Sequence, residues 1–301
     1  MTRVVLFGDG LWASLAVRAM SQAGYDVTVI VGRRKPTGNS LYESAEWLGA
    51  TYLQPADPSS AEVEEVIARA APDILLSIAY DRVIPRHVLA LARTGALNVH
   101  AGILPRYRGC NVITWAIVNG ESTIGLTVHY MDEHLDTGPI LTQQRLPIGT
   151  DEGYGEILLR VTEAIPGAVL RALPLAVGGD VGSPQDSQSA TYFPRRRDGD
   201  EDVNWSLGSA EIHNLVRGVT RPGPGARTWC EDGRELRIWR TNYDSRLPSY
   251  RSIAGVVLEQ RPGNSVLVTT GNGVLELVEV EVVGSERTGF APGTRLRTNT
   301  A

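Results

Sequence analysis

Between residues 3 and 130, short β-branched runs alternate with segments of helical apolar spacing, and no other property of the chain narrows its fold as much. "RVVLFG" at residues 3 to 8 is followed by "LWASLAVRAMSQAGY", whose apolar spacing predicts a helix stopping near Gly24. The rhythm repeats through "DVTVIVG", "LYESAEWLGA", "TYLQP", "SSAEVEEVIARAA", "DILLSIAY", "RHVLALART" and "ALNVH". Strands and helices in strict alternation predict an α/β fold, a Rossmann-like, mostly parallel sheet with helices on both faces. Ligands of such sheets sit outside the carboxyl ends of the strands, where Gly8, Tyr80 and His100 fall.

Beyond that rhythm, "ITWAIVNGE" reads as a helix and "GLTVHYMD" as a strand. A long helix is expected after "GPILTQQRLPI", through "GYGEILLRVTEAIPGAVLRALPLAVGG", with Pro166 and Pro174 kinking or interrupting it. From about residue 180 the chain turns rich in Gly, Ser, Asp and Pro. "SAEIHNLVRGV" then reads as a last helix, followed by short strands whose "DG" and "NG" dipeptides mark hairpins. The expected organisation is a catalytic domain over 1–180, an ordered linker over 181–205, and a helix plus small OB-like β-barrel over 206–301.

Composition excludes little but does weigh on partners. Apolar residues make up 42% and charged residues 21%, as in an ordinary globular protein. A net charge of −5 argues against a protein built to wrap a nucleic-acid backbone. The run Arg195, Arg196, Arg197 reads as a solvated loop, with a phosphate site as the sharper alternative. Cys110 and Cys230 lie far apart and suggest neither a disulfide framework nor a zinc motif, so no metal is expected. The N-terminal apolar run is too short for a signal peptide and no stretch reaches membrane-spanning length, so the expected location is the cytoplasm.

Two motifs carry chemistry. "FGDGLWA" places Gly8, Gly10 and Ala13 as G-x-G-x-x-A between a strand and a helix, the setting of a dinucleotide fingerprint. Arg33 or Arg34, closing the second strand, is placed to take a 2′-phosphate, so an NADP-dependent oxidoreductase is one reading. A glycine turn needed only for packing is the other. In "ALNVHAGILPRYRG", Asn98 and His100 stand at i and i+2 on one face of a strand, about 6 to 7 Å apart. "HYMDEHLDTGPI" offers Asp132 and Asp136 in a loop after another strand. If the strand ends are neighbours, an amide to hold an oxyanion, an imidazole to move a proton and a carboxylate to orient the ring suit acyl transfer to an amine. No covalent nucleophile stands nearby, which favours direct attack by the amine. A strand-end histidine satisfied structurally remains the competing reading.

The blocks "LNVHAGILPRYRG", "WAIVNGE" and "GLTVHYMDEHLDTGPIL", together with "VVLFGDG", "PDILLSIAYDRVIP" and the tail segments "VRGVTRPGPGA", "LRIW" and "TGNGVLEL", resemble the formyltransferases that use N10-formyltetrahydrofolate. The likeness spans nearly the whole chain. It implies that Asn98 stabilises the oxyanion, that His100 shuttles the amine's proton, and that Asp136 raises the His100 pKa. It implies folate recognition by backbone groups at Arg82, Val83 and Ile84 and at Asp132, Glu133, His134, Leu135 and Asp136, with Leu104 and Pro105 walling the pocket near the formyl group. N10-formyltetrahydrofolate is the implied co-substrate. Cys110 stands where amino-sugar members often carry a basic residue, which puts one donor contact in question. The segment "RGCNVITWAIVNGE", with Trp115, and the short, partly basic loop "GRRKPTGNSLYES" favour a small amine acceptor, a nucleotide-linked amino sugar before an N-hydroxyornithine type of amine. Initiator methionyl-tRNA is disfavoured by the same departures, and a homodimer is expected by analogy with the amino-sugar members.

Overall fold

The computed structural model describes residues 1–247, 249–284 and 290–298. The chain forms two compact units, each assembled from separated stretches. The first takes Met1–Gly109, Ile124–Leu146 and Arg160–Phe193; the second takes Cys110–Thr123, Pro147–Leu159 and the chain from Pro194 onward. No helix among the described residues is long and apolar enough to cross a membrane.

In the first unit the strands β1 (Arg3–Gly8), β2 (Asp26–Gly32), β3 (Thr51–Leu53), β4 (Ile74–Ile78) and β5 (Gly95–His100) alternate with α1 (Gly10–Gln22), α2 (Ser40–Leu48), α3 (Ala61–Ala70) and the single turn α4 (Arg86–Leu89). The short β6 (Arg108–Gly109) follows, then α5 (Val112–Val118) of the second unit, β7 (Thr123–Tyr130), β8 (Ile140–Pro147), the long α6 (Tyr154–Val177) and β9 (Tyr192–Phe193). The seven-stranded sheet runs β3-β2-β1-β4-β5-β7-β8. Its first five strands are parallel, and β7 is antiparallel to β5.

Periodicity explains how both faces are covered. Val5 and Phe7 of β1 join Val63 and Ile67 of α3 in one buried cluster. Val4 and Leu6 point to the opposite face by the two-residue repeat and are equally buried. On α1, the buried stripe Ala13, Ala16, Val17, Met20 has helical spacing, and Trp12 Nε1 donates to Thr162 Oγ1 of α6 at 2.7 Å.

Three expectations are corrected here. The helix expected over "RHVLALART" is a single turn. After Leu89 the bonds tighten to the i−3 pattern, and Arg93 and Thr94 donate back to Pro72 and Asp73, which starts β5 early. Conversely, α6 runs unbroken through Pro166 and Pro174. Each proline costs about 3 kcal/mol, whereas the stripe Ile157, Val161, Ile165, Val169 and Leu173, fully buried, gains about 1.5 to 3 kcal/mol per side chain. Burial wins. The Gly- and Ser-rich stretch expected as a linker is partly a strap on the first unit. Ser183 exchanges two backbone bonds with Ile140, and β9 pairs in parallel with β6.

In the second unit α5 packs against α7 (Ser209–Val219). An antiparallel sheet of β10 (Ala226–Cys230), β11 (Glu235–Asn242), β12 (Val257–Gln260), β13 (Val266–Thr270), β14 (Gly273–Val282) and β15 (Leu296–Arg297) runs β12-β13-β14-β11-β10-β15. A bridge between Val256 and Arg295 joins its two edge strands, so the sheet curls into a small barrel and hides its edges. The two-residue β15 carries too little pattern to be read from sequence. Its core takes Val203, Trp205, Ile212, Val216 and Leu236, and Trp205 Nε1 donates to Thr228 Oγ1 at 2.9 Å.

Candidate active site

The site lies where the parallel sheet turns antiparallel. In the β5–β7 register Asn98 faces His129 and His100 faces Thr127. The loop after β7 starts beside Ala96, whose carbonyl accepts from Met131 N at 2.7 Å, then doubles back to the level of His100. There the Asp136 carboxylate stands 3.6 Å from His100 Nδ1 through one oxygen and 3.6 Å from His129 Nε2 through the other. Asn98 Nδ2 lies 3.2 Å from His129 Nε2 and 3.4 Å from Asp136 Oδ1. The structure therefore brings Asn98, His100 and Asp136 together.

Hydrogen bonds assign the tautomers. His129 Nδ1 is 2.7 Å from the Tyr130 carbonyl and donates to it, which orients the ring with Nε2 between Asn98 and Asp136. His100 Nε2 donates to the Tyr107 carbonyl at 2.6 Å. A neutral His100 thus turns its Nδ1 lone pair toward Asp136, and that contact becomes attractive when the ring takes a second proton.

Burial and charge pull against each other. His100 is 7% exposed. Its burial pushes the imidazole pKa down and outweighs the lift from Asp136 and from the Tyr107 carbonyl. Asp136 raises the His100 pKa, but a larger desolvation cost sets the net direction downward. For Asp136, burial favours the neutral acid. His100, the His129 contact and the Gly109 N–H at 2.8 Å outweigh it and hold the carboxyl at about 2.

Asp136 is 6% exposed, so little solvent screens this shift. A depressed carboxyl stabilises the fold above its unfolded value of 3.8, and that stability is lost as pH falls toward 2. The wild type should lose about 1.5 kcal/mol more than Asp136→Asn between pH 5 and pH 2.5. Urea unfolding at the two pH values measures this, and parallel losses in both proteins would remove the assignment.

The residues implied for folate fall on two neighbouring segments. Arg82 is exposed, Val83 and Leu135 present apolar side chains to solvent, and Ile84 is buried in one cluster with Met131. Arg86 reaches Glu133 at 3.5 Å, which ties the two segments together. A cavity of about 690 Å³ lies beside the second segment, lined by Asp132, Glu133 and His134 along with Arg86, Tyr130 and Thr137, while Arg82, Val83, Ile84, His100 and Asp136 are not among its lining residues. Asp132 spends its carboxylate inside the loop, accepting from His134 N at 2.9 Å and Thr137 Oγ1 at 2.5 Å. Leu104 is buried, with its carbonyl accepting from Gln143, and Pro105 is half-buried; both stand on the loop that follows His100.

The G-x-G-x-x-A turn is filled from within. Asp9, between Gly8 and Gly10, is buried and accepts from Thr37 N at 3.2 Å and Thr37 Oγ1 at 2.8 Å. Arg33 stands 3.5 Å from Asp9 and 3.8 Å from Asp81 and donates to the Ala79 carbonyl. The Asp9 carboxylate caps no N–H of α1 but turns to Thr37 and Arg33, so a negative charge stands beside the turn that a pyrophosphate would need, and Arg33 is engaged. The dinucleotide reading loses its anion site.

Sequence reasoning missed His129, Tyr107, Arg108, Gly109 and Gln185. His129 was visible inside "GLTVHYMD", but only the cross-strand register puts it opposite Asn98.

Comparison with known proteins follows the same lines. The formyl transferase family model matches residues 2–173, and the model of the formyl transferase C-terminal domain matches residues 197–290. A methionyl-tRNA formyltransferase of Sorangium cellulosum is 34% identical over 291 residues, covering 94% of this chain and 92% of the relative. Another, from Solibacter usitatus, is 34% identical over 311 residues, covering 99% and 97%. Among solved structures, an N-formyltransferase from Helicobacter canadensis, in complex with folinic acid and dTDP-3-aminofucose, superposes with a TM-score of 0.69. It is 16% identical and covers 93% of this chain and 100% of its own. WlaRD, a sugar 3N-formyl transferase, superposes with a TM-score of 0.71 at 16% identity, covering 95% and 99%. At such identity the agreement is one of fold.

Proposed function

The chain belongs to the formyltransferase family, and from that premise we propose that it formylates the primary amine of a nucleotide-linked amino sugar, with Asn98, His100 and Asp136 as its catalytic group. It is an N-formyltransferase that takes its one-carbon unit from N10-formyltetrahydrofolate. The co-substrate supplies an activated formyl carbon and, once cleaved at N10, the tetrahydrofolate leaving group.

The chain's own residues do the rest. The amine must arrive neutral, and a His100 held below the ordinary imidazole range is neutral at pH 7 and ready to accept its proton. Both His100 nitrogens face protein groups, so the proton reaches Nδ1 through a bridging water. The imidazolium then meets the Asp136 carboxylate. Asn98 Nδ2 donates to the formyl oxygen as negative charge develops, exchanging its longer, 3.4 Å contact with Asp136 for that oxygen. Backbone groups of segments 82–84 and 132–136 hold the folate.

One observation favours a small acceptor: three of the arginines on the basic segments are already matched by carboxylates. Arg33 stands between Asp9 and Asp81, Arg196 pairs with the buried Glu201, and Arg227 faces Asp198, Glu201 and Asp202. Arg34, Lys35, Arg195 and Arg197 stay exposed on the same segments, so the cationic surface open to phosphates is reduced, not removed. The "YFPRRRDGDEDVNW" and "VRGVTRPGPGA" segments, which resemble amino-sugar formyltransferases, favour a sugar nucleotide among small amines.

A second reading, initiator methionyl-tRNA, is favoured by the 34% identical relatives. The two are separated by incubating the protein and formyltetrahydrofolate with nucleoside-diphosphate amino sugars or with methionyl-tRNA, following tetrahydrofolate release and product mass. A formyl sugar nucleotide with no formylmethionyl-tRNA is the expected result. Formylation of the tRNA, with salt-sensitive binding, would replace the first reading by the second.

A further inference from the structure

We propose that Gln185 is a positioning residue for the transfer: its side-chain amide holds the turn at residues 136–138 and thereby keeps the Asp136 carboxylate against His100. The proposal rests on the reading of Asp136 and His100 as catalytic.

The geometry uses every valence of the amide. Gln185 Nε2 donates to the backbone carbonyls of Asp136 at 2.9 Å and Gly138 at 2.7 Å. Its Oε1 accepts from Arg108 Nε at 3.1 Å and from another guanidinium nitrogen at 2.7 Å. The remaining Arg108 nitrogen donates to the Tyr192 hydroxyl at 2.6 Å. Arg108 is 3% exposed, so this guanidinium is an internal strut and not a solvated charge. Only a primary amide offers two donors and a doubly accepting oxygen at one place.

The turn it holds needs holding. Asp136 sits at φ +57°, a left-handed conformation that a non-glycine residue adopts at a cost. Gly138 lies so close to the Tyr130 carbonyl that an added Cβ would stand 2.0 Å from that oxygen. The turn is therefore pressed on strand β7 from one side and closed by Gln185 from the other. The same strap reaches the other end of the couple. Arg108 N donates to the Thr191 carbonyl at 2.9 Å and Tyr107 N to Thr191 Oγ1 at 2.9 Å. These bonds fix the Tyr107 carbonyl under His100 Nε2 and the Gly109 N–H on Asp136. One stretch, residues 185 to 193, thus sets both partners of the imidazole.

The discriminating variant is Gln185→Glu. It keeps the acceptor toward Arg108, now as an ion pair, and turns oxygen instead of N–H toward two carbonyls. Stability should hold while Asp136 shifts. Misplacement on the scale of an ångström costs about a hundredfold in rate, so kcat should fall about 30- to 100-fold, with the acceptor KM changed less than threefold and Tm close to wild type. His100 is faced by Asp136, by the Tyr107 carbonyl and by the His129 ring at 6.5 Å. With Asp136 displaced, its upward pull weakens, so in Gln185→Met, which adds no charge, the acid limb of kcat/KM should move to lower pH with a similar kcat loss; in Gln185→Glu the new carboxylate opposes that move. Wild-type kcat in both variants, or a lower kcat with an unmoved limb in Gln185→Met, would overturn the proposal. Asp136→Asn measured alongside separates the two levels: full activity there would sink the His100–Asp136 reading itself, whereas an inactive Asp136→Asn beside fully active Gln185 variants would sink only the role of Gln185.

Discussion

Replacing His100 with alanine should lower kcat by about 10²- to 10⁴-fold, the range associated with loss of a positioned acid–base group. The physical reason is specific to this pocket. His100 is buried, donates through Nε2 to a backbone carbonyl, and turns Nδ1 to a carboxylate that is ionised down to about pH 2. Such a ring is neutral at rest and stabilised once protonated, the two states a proton shuttle passes through. The wild-type kcat/KM should rise with pH along an acid limb below the ordinary imidazole value of 6.5, because burial lowers the His100 pKa and the neutral ring is the active form. In His100→Ala that limb should vanish together with the rate. Steady-state release of tetrahydrofolate across pH 5 to 9 measures both. Activity within tenfold of wild type, with the limb intact, would remove His100 from the chemistry.

Asn98→Ala should cost about 10²- to 10³-fold in kcat, or about 2.7 to 4 kcal/mol, as removal of an oxyanion donor does. Here the amide nitrogen is oriented before substrate arrives. His129 donates through Nδ1 to a backbone carbonyl, which fixes its ring with Nε2 3.2 Å from Asn98 Nδ2 and holds that amide toward the site. A group already aimed loses no reorganisation energy when charge develops on the formyl oxygen. The loss should therefore appear in kcat, with KM for either substrate changed only a few-fold. A large rise in KM at unchanged kcat would identify Asn98 as a binding residue instead.

Much of this was legible without coordinates because it is written in local patterns. The two-residue repeat of "RVVLFG" and "DVTVIVG" and the helical stripe of "LWASLAVRAM" are short-range signals, and both predicted faces of the sheet are filled as read. The site was less legible. Asn98 and His100 stand two residues apart on one strand, so spacing alone puts them together. The loop after β7 offered Asp132 and Asp136 alike and only a resemblance chose Asp136, while Gln185 stood in a Gly- and Ser-rich stretch that looked like connecting chain. Its importance comes from contacts 47 and 49 residues away in sequence. Local pattern carries no record of such distances.

The proline-bearing α6 makes the same point about energy. Sequence weighs the lost hydrogen bonds of Pro166 and Pro174 but not the buried aliphatic stripe that offsets them. The Asp9 turn makes it about ligands. G-x-G-x-x-A states that backbone can come close, and only the folded chain shows that Thr37, held by the Asp9 carboxylate, is what lies against it.

By itself, then, the sequence determined the layered α/β unit, the barrel that follows it, and the strand that bears the amide and the imidazole, since these depend on side-chain period and turn chemistry within a few residues. Tertiary structure alone decided that β7 runs back along β5, that His129 faces Asn98, and that the 185–193 strap holds Asp136 in a left-handed turn. It also decided the direction of the His100 pKa, because desolvation depends on everything packed around the ring and has no signature along the chain.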